Sequence, residues 1–278
     1  MKRIASIQDI SCLGRCSLTV ALPVISAIGV ECAIVPTAVL STHTMFQGFT
    51  CKDLTDQIRP IADHWEKEGF HFDALYTGYL ASAEQIEDVC DFFDRFKSPD
   101  TIVFVDPAMA DNGKLYPAFG PEFPREMAKV CAKADIVVPN LTEACLLTDT
   151  PYKSQFTEDE VKELLRKLCA LGAKKAVLTG VGFTPTELGV MAYDPEKDEF
   201  FTYIVEHLPQ HYHGTGDLFA SCCIGAMMDG CSLEDALKVA VDFIIECIRL
   251  TVASGKEKYY GVEFERAFPF LLQRLGKV

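Results

Sequence analysis

The 278-residue chain has little positive charge. Its 26 Lys and Arg stand against 40 Asp and Glu, giving a formal net charge of -14 and a pI of about 4.9. General attraction to nucleic acid or to an anionic membrane surface is thereby excluded. Any phosphate the chain binds has to be neutralised locally, by amides or a metal ion. No apolar run is long enough to span a bilayer, and Gln8 and Asp9 interrupt the first apolar stretch too early for a signal peptide. Linkers, repeats and low-complexity tracts are absent, so one domain over 1–278 is expected. None of the 12 cysteines forms a Cys-x-x-Cys pair, which removes the spacings of zinc sites and dithiol redox motifs. Cys32, Cys90, Cys145, Cys169 and Cys247 stand in apolar contexts and read as reduced core residues. That usage points to a reducing, cytoplasmic setting. The G-x-x-x-x-G-K-[ST] phosphate loop is missing. G-x-S-x-G and H-E-x-x-H are missing too, which turns the reading away from hydrolases.

What is present suits a folded enzyme. Hydrophobic residues make up 49% of the chain and charged residues 24%, enough for a sizeable core. Strands are predicted at 3–8, 30–35 (stopped by Pro36), 73–77, 101–105, 135–139 and 175–179. A hairpin is predicted from 188–193 and 200–205 around the turn at 194–198. Helical spacing fills the intervals, with Ser82 as a cap, Thr157 and Glu160 as a capping box, and Ser232 with Asp235 opening a long helix that runs to about 254. The central strands are apolar on both faces, the pattern of a parallel sheet covered by helices on each side. Ligands of such sheets sit beyond the carboxyl ends of the strands. The polar residues there are Asp9 and Ser11, Thr44, Tyr79, Asp106, Asn140 with Glu143, Thr179 with Gly182, and 214–217.

The most informative stretch is His213-Gly214-Thr215-Gly216-Asp217, which runs into the apolar, small-residue segment 218–228. Two glycines before a buried helix allow a ligand to approach the backbone, and N–H groups at a helix start favour an anion such as a phosphate. A carboxylate at Asp217 makes sense there if it takes a proton from a hydroxyl attacking phosphorus. It is equally at home as a first-turn capping residue. Asn140 and Glu143 lie on one helical face and suit Mg²⁺ held through water; the same spacing is that of a capping box, the commoner outcome. Asp106, before Pro107, is either a second carboxylate for that metal or a strand-end turn residue. Tyr79 can stack on a ring or simply pack. His43 and His213, isolated in loops, carry no role by themselves.

Several pieces, taken together, resemble the pyridoxal kinase branch of the ribokinase-like superfamily. They are Ser6-Ile7-Gln8, Leu40-Ser41-Thr42-His43-Thr44, the segment from Thr77-Gly78-Tyr79 to Glu84-Gln85, Val105-Asp106-Pro107-Ala108-Met109, Pro139-Asn140-Leu141-Thr142-Glu143 and Gly214-Thr215-Gly216-Asp217. Their order and spacing match over essentially the whole chain. The resemblance implies an α/β ribokinase-like three-layer sandwich, with a mostly parallel central sheet and helices on both faces. It implies ATP- and Mg²⁺-dependent phosphorylation of the 5′-hydroxymethyl group of pyridoxal, pyridoxamine or pyridoxine, in salvage of pyridoxal 5′-phosphate. It makes Asp217 the base and Gly214, Thr215 and Gly216 the anion hole. Asp106 and Glu143 would lie near the metal, and Asp106, Asn140, Glu143, Thr179, Gly182 and Thr202 along the nucleotide. Asp9, Ser11, His43, Thr44 and Tyr79 would join Asp217 around the substrate. Similar enzymes often bind a monovalent cation and are usually homodimers. One departure stands out: Asp9 occupies the place where the family typically has a Ser. A carboxylate there favours a substrate with an amine and also resembles the neighbouring hydroxymethylpyrimidine kinases, the alternative reading. Loops 41–50 and 209–213 are the expected mobile covers of the site.

Overall fold

The computed structural model describes residues 1–255 and 260–278. Strands and helices alternate along the chain. In order they are β1 (Arg3–Ser11), α1 (Leu18–Ile28), β2 (Glu31–Leu40), β3 (Cys51–Asp53), α2 (Thr55–Lys67), β4 (Ala74–Thr77), α3 (Ala83–Phe96), β5 (Ile102–Val105), the small strands β6 (Ala110–Asp111) and β7 (Lys114–Leu115), α4 (Phe123–Cys131), β8 (Ile136–Val137), α5 (Leu141–Leu147), α6 (Glu158–Ala170), β9 (Lys175–Val181), β10 (Glu187–Asp194), β11 (Glu199–Glu206), α7 (Thr215–Met228), α8 (Leu233–Ala253) and, after a short 3-10 turn, α9 (Phe268–Arg274). Nine strands form one sheet in the order β11-β10-β9-β8-β5-β4-β1-β2-β3, and β6 pairs with β7 separately. The run from β9 through β8, β5, β4 and β1 to β2 is parallel; β3 at one edge and the β10–β11 hairpin at the other are antiparallel.

Alternation along each central strand feeds two separate cores. Ala5, Ile7, Leu75, Val103, Val105, Val137 and Leu178 pack against α2 to α6. Ile4, Tyr76, Phe104, Ile136 and Val177 pack against α1, α7, α8 and α9. The expected helices-on-both-faces arrangement follows from this period of two. Predicted caps form as read: the Ser82 hydroxyl accepts from Gln85 N–H, Ser232 from Asp235 N–H, and Thr157 with Glu160 makes a full capping box. The hairpin also forms, with Val190 opposite Tyr203. All 12 cysteines are free thiols. Among the described residues no helix is long and apolar enough to cross a membrane.

One expectation fails. The second strand does not stop at Pro36 but continues to Leu40, with Pro36 opposite Gln8. The flanking β3 covers only residues 38–40 of β2, so Pro36 sits where the outer side of the strand is unpaired and a missing N–H costs no ladder bond on that side.

The helix that opens at the glycine turn is buried all round, from Leu218 to Ala226. It lies so close to α1 that a Cβ on Gly225 would stand 2.7 Å from Ile28 Cδ1. Gly225→Val therefore overpacks the α1–α7 contact. It should lower stability by about 1–3 kcal/mol, read as a lower urea midpoint at unchanged slope.

Candidate functional site

The carboxyl ends of the parallel strands surround a cavity of about 510 Å³. Asp106 follows β5, Asn140 and Glu143 follow β8, Thr179 and Gly180 lie near the end of β9, and His213, Gly214, Thr215, Gly216 and Asp217 close it from the start of α7. Its far wall is apolar, formed by Leu188, Val190 and Val205 of the hairpin and by Val241, Ile244, Ile245 and Ile248 of α8.

The glycine turn is held by direct backbone packing. Gly214 has φ 78°, and a Cβ there would stand 1.8 Å from the carbonyl oxygen of Arg15. Only glycine fits. Gly216 also faces the site: a Cβ on it would come within 3.9 Å of Asp106 Oδ2. Thr215 Oγ1 donates to the Tyr212 carbonyl at 3.1 Å, tying the helix start to the preceding loop. The first-turn N–H groups of α7, which have no intrahelical partners, are thus presented beside Asp217.

Electrostatically the site is one-sided. Asp106, Glu143 and Asp217 face a common region, and among the described residues none of them is in an ion pair. Burial pushes the Asp106 carboxyl well up, and Glu143 and Asp217 push it further. Burial raises Asp217 to about 7; the charge of Asp9 adds to this, while the Ser17 backbone N–H, donating to Asp217, opposes it. Burial raises Glu143 to about 8 against three amide donors.

Those donors settle the Asn140–Glu143 spacing as a full capping box. Glu143 Oε2 accepts from Asn140 N–H at 2.9 Å, and Oε1 accepts from Met109 N–H at 3.0 Å and Ala110 N–H at 3.4 Å. Asn140 Nδ2 donates to the Ala110 carbonyl at 2.8 Å. Both residues therefore brace the strand-end loop that carries Asp106. Among the described residues no group of three or more His, Cys, Asp or Glu side chains is arranged to hold a metal ion. A carboxylate such as Asp106, without a cation of its own, suits Mg²⁺, which keeps several waters and takes one or two carboxylates plus substrate phosphates.

Two predicted nucleotide residues fall outside the cavity lining. Gly182 packs on the hairpin, where a Cβ would stand 2.2 Å from the Glu187 carbonyl oxygen, so its small size serves β-strand packing. Thr202 is exposed in the middle of β11, opposite Met191. Val205 of the same strand does line the cavity. The neighbouring Gly180 and the apolar wall do line the cavity but were not singled out from sequence. The wall residues of α8 share the periodicity of its core face, which hides them.

On the other side of Asp217 lies a second group. Asp9 is 5% exposed and Ser11 2%, and Ser11 Oγ donates to Asp9 Oδ2 at 3.4 Å. Tyr79 is close enough for the Asp9 charge to help raise its phenol to about 12, behind the main effect of burial. Its ring also packs on Phe119 at 5.4 Å. Thr44 is exposed in the loop after β2. His43 and His213 meet with ring centroids 5.1 Å apart, so the two expected covering loops touch over the site. His43 Nδ1 accepts from Met45 N–H at 3.1 Å, and burial together with His213 holds its pKa below the usual range. Ser17, whose backbone N–H lowers the Asp217 pKa against burial, carries no signal of its own in the polar loop before α1.

The burial of Asp217 has a consequence for stability. Its folded pKa of about 7 lies above the ordinary aspartate value of 3.8, so the folded state keeps a proton that the unfolded chain loses. This contribution is fully present below the unfolded pKa and is lost as pH rises through about 7. Asp217→Asn should therefore be more stable than the parent at pH 8, by about 1–2 kcal/mol, and show no such gain near pH 4. Urea titrations at the two pH values measure it.

Comparison with known proteins agrees with this geometry. The family model for phosphomethylpyrimidine kinase matches residues 21–261. A solved structure from Bacteroides thetaiotaomicron, in a crystal form with pyridoxal, is 42% identical, with TM-score 0.92 over 97% of this chain and 95% of that one. Pyridoxal kinase from Lactobacillus plantarum is 29% identical, with TM-score 0.90 over 98% and 97% of the two chains. Pyridoxal kinase of Arabidopsis thaliana is 26% identical over 271 residues, 93% of this chain and 85% of that protein.

Proposed function

Because the chain belongs to the phosphomethylpyrimidine kinase family of ribokinase-like phosphotransferases with an alcohol acceptor, we propose that it phosphorylates the 5′-hydroxymethyl group of a vitamin B6 vitamer with ATP. The product is the 5′-phosphate, as salvage of pyridoxal 5′-phosphate requires. The observation that carries this reading is the juxtaposition of a half-buried carboxylate, Asp217, with the Gly214-Thr215-Gly216 turn at the start of α7. The turn offers amides to a phosphoryl group, and the carboxylate offers a proton acceptor to an alcohol. The relative crystallised with pyridoxal supports the choice of a pyridine alcohol.

In this reading Asp217, with its pKa near 7, accepts the hydroxyl proton as the bond to phosphorus forms. A base is most effective when its pKa lies near the working pH. Gly214, Thr215 and Gly216 stabilise charge on the transferring phosphoryl group through their N–H groups. Asp106 would hold Mg²⁺, whose positive charge neutralises the nucleotide phosphates; Glu143 and Asn140 keep the Asp106 loop in place. Thr179 and Gly180 flank the nucleotide, and the apolar wall of the hairpin and α8 takes its base. Asp9, Ser11, His43, Thr44 and Tyr79 surround the ring of the acceptor. The 41–50 and 209–213 loops, joined at His43 and His213, exclude water that would otherwise take the phosphoryl group. The whole chain acts as one kinase domain.

The family model's own description favours a second reading, a hydroxymethylpyrimidine kinase. Both readings use the same base and the same anion hole.

With Mg-ATP and pyridoxine, Asp217→Asn should lower kcat by about 10²–10⁴. In the parent enzyme, kcat/KM should fall as pH drops below about 7, where Asp217 becomes protonated. Coupled ADP-release assays read both. Full activity in Asp217→Asn contradicts the assigned base.

A further inference from the structure

Arg15 stands between two glycines from distant parts of the chain. Its carbonyl oxygen lies against Gly214, with the Cys16 backbone alongside: a Cβ on Gly214 would also stand 3.3 Å from Cys16 Cα. On the other side is Gly261, at φ 127°, where a Cβ would stand 2.5 Å from Arg15 Cβ and 3.1 Å from the same carbonyl oxygen. Neither position has room for a side chain. The Arg15 backbone is therefore the spacer between the turn that opens α7 and the segment that follows α8.

Both sides of this spacer are anchored. In the loop before α1, Thr19 Oγ1 donates to the Cys16 carbonyl at 2.7 Å and lies 3.0 Å from that of Gly14, so the carbonyls flanking Arg15 are tied down. Behind it, the Arg15 N–H donates to the Tyr260 carbonyl at 3.0 Å, and the guanidinium lies over the Tyr260 ring at 5.4 Å. Arg15 Nε donates to Glu265 Oε1 at 3.0 Å. The segment that supplies these contacts is itself fastened to α8: the Glu263 N–H donates to Thr251 Oγ1 at 2.7 Å, and Phe264 and Ala267, in the 3-10 turn that carries Glu265, are buried. Arg15 meets Glu265 through Nε, and its Nη1 is buried without a hydrogen bond among the described residues. The two-point pairing open to a guanidinium is thus not used.

We propose that Arg15 is a positioning residue for phosphoryl transfer: gripped by Tyr260, Gly261 and Glu265, it sets where the Gly214 turn, and with it the first-turn N–H groups of α7, stands relative to Asp217. The inference rests on the kinase reading above and deepens it. Arg15 does not line the cavity, and its guanidinium is committed to Tyr260 and Glu265. It acts through its main chain, with its side chain as the handle. Donors that meet charge in the transition state act by being fixed in advance, and small displacements of such groups cost rate. Loosening the grip lets the turn shift while nucleotide and acceptor still bind along the rest of the cavity. The loss then falls on turnover and spares the affinity for ground-state ligands.

The test uses the whole protein with Mg-ATP and pyridoxine, as parent, Arg15→Ala, Arg15→Lys and Glu265→Gln. It adds inhibition by aluminium fluoride in the presence of Mg-ADP, a mimic of the phosphoryl group being transferred. Arg15→Ala should lower kcat about 10–100-fold, with KM for both substrates within about twofold of the parent. Its inhibition constant for aluminium fluoride should rise by the same factor, while binding of Mg-ADP alone stays unchanged. Arg15→Lys keeps a cation for Glu265 and should recover most of the loss. Glu265→Gln should shift kcat and the inhibition constant in the same direction as Arg15→Ala, and it reads the grip if Arg15→Ala does not fold. A merely structural role lowers the fraction of active molecules, which leaves the inhibition constant where it was. Unchanged inhibition constants in Arg15→Ala and Glu265→Gln, or Arg15→Lys no better than Arg15→Ala, overturn the proposal. A parent that phosphorylates 4-amino-5-hydroxymethyl-2-methylpyrimidine and not pyridoxine overturns the vitamer reading, and the same comparison with that alcohol then decides the role of Arg15. A parent that phosphorylates neither overturns the kinase reading and this inference with it.

Discussion

The carboxyl edge of the sheet depends on one constraint: carboxylates gathered in a low-dielectric region without a Lys or Arg ion-paired to them among the described residues. Burial raises the pKa of Asp106, Glu143 and Asp217; Glu143 and Asp217 raise Asp106 further, and Asp9 adds to the rise at Asp217. Isolated buried charges of this kind are unstable unless they are paired or hydrogen-bonded. The fold meets the requirement differently at each position. Glu143 is satisfied by three backbone amides and becomes a brace. Asp217 receives the Ser17 N–H and keeps a pKa near 7. Asp106 and Asp9 remain without cations among the described residues, which leaves them for what binds.

The architecture that creates this region is a sheet whose strands feed two cores. Six parallel strands converge on one edge, and the glycine turn before α7 brings a helix start to the same place. The turn works only because Gly214 can lie directly on the Arg15 carbonyl. Contacts between backbone segments distant in sequence therefore fix the relation of the anion hole to the base. The two loop segments that meet at His43 and His213 touch through their rings.

Much of this was legible in the sequence, for identifiable reasons. Local capping signals and the period-two strands depend on neighbouring residues, so Ser82, Thr157 and Ser232 capped as read and the helices fell on both faces. The polar residues at strand ends came together because sheet topology forces them to one edge. What was not legible required information from elsewhere in the fold. Pro36 is tolerated because β3 stops short of it. Gly182 is small because of Glu187. Thr202 was placed along the nucleotide through resemblance; it stands exposed on β11, whose Val205 lines the cavity. Ser17 was invisible because it is one polar residue of a polar loop.

The central claim is that an acceptor hydroxyl is activated at Asp217 while the α7 turn holds the phosphoryl group. The most direct measurement is phosphorus NMR of the products formed from Mg-ATP and pyridoxine by the purified protein. The account predicts ADP and a single phosphate monoester on the 5′-hydroxymethyl group. Inorganic phosphate with no pyridine ester, or no consumption of ATP, would contradict it.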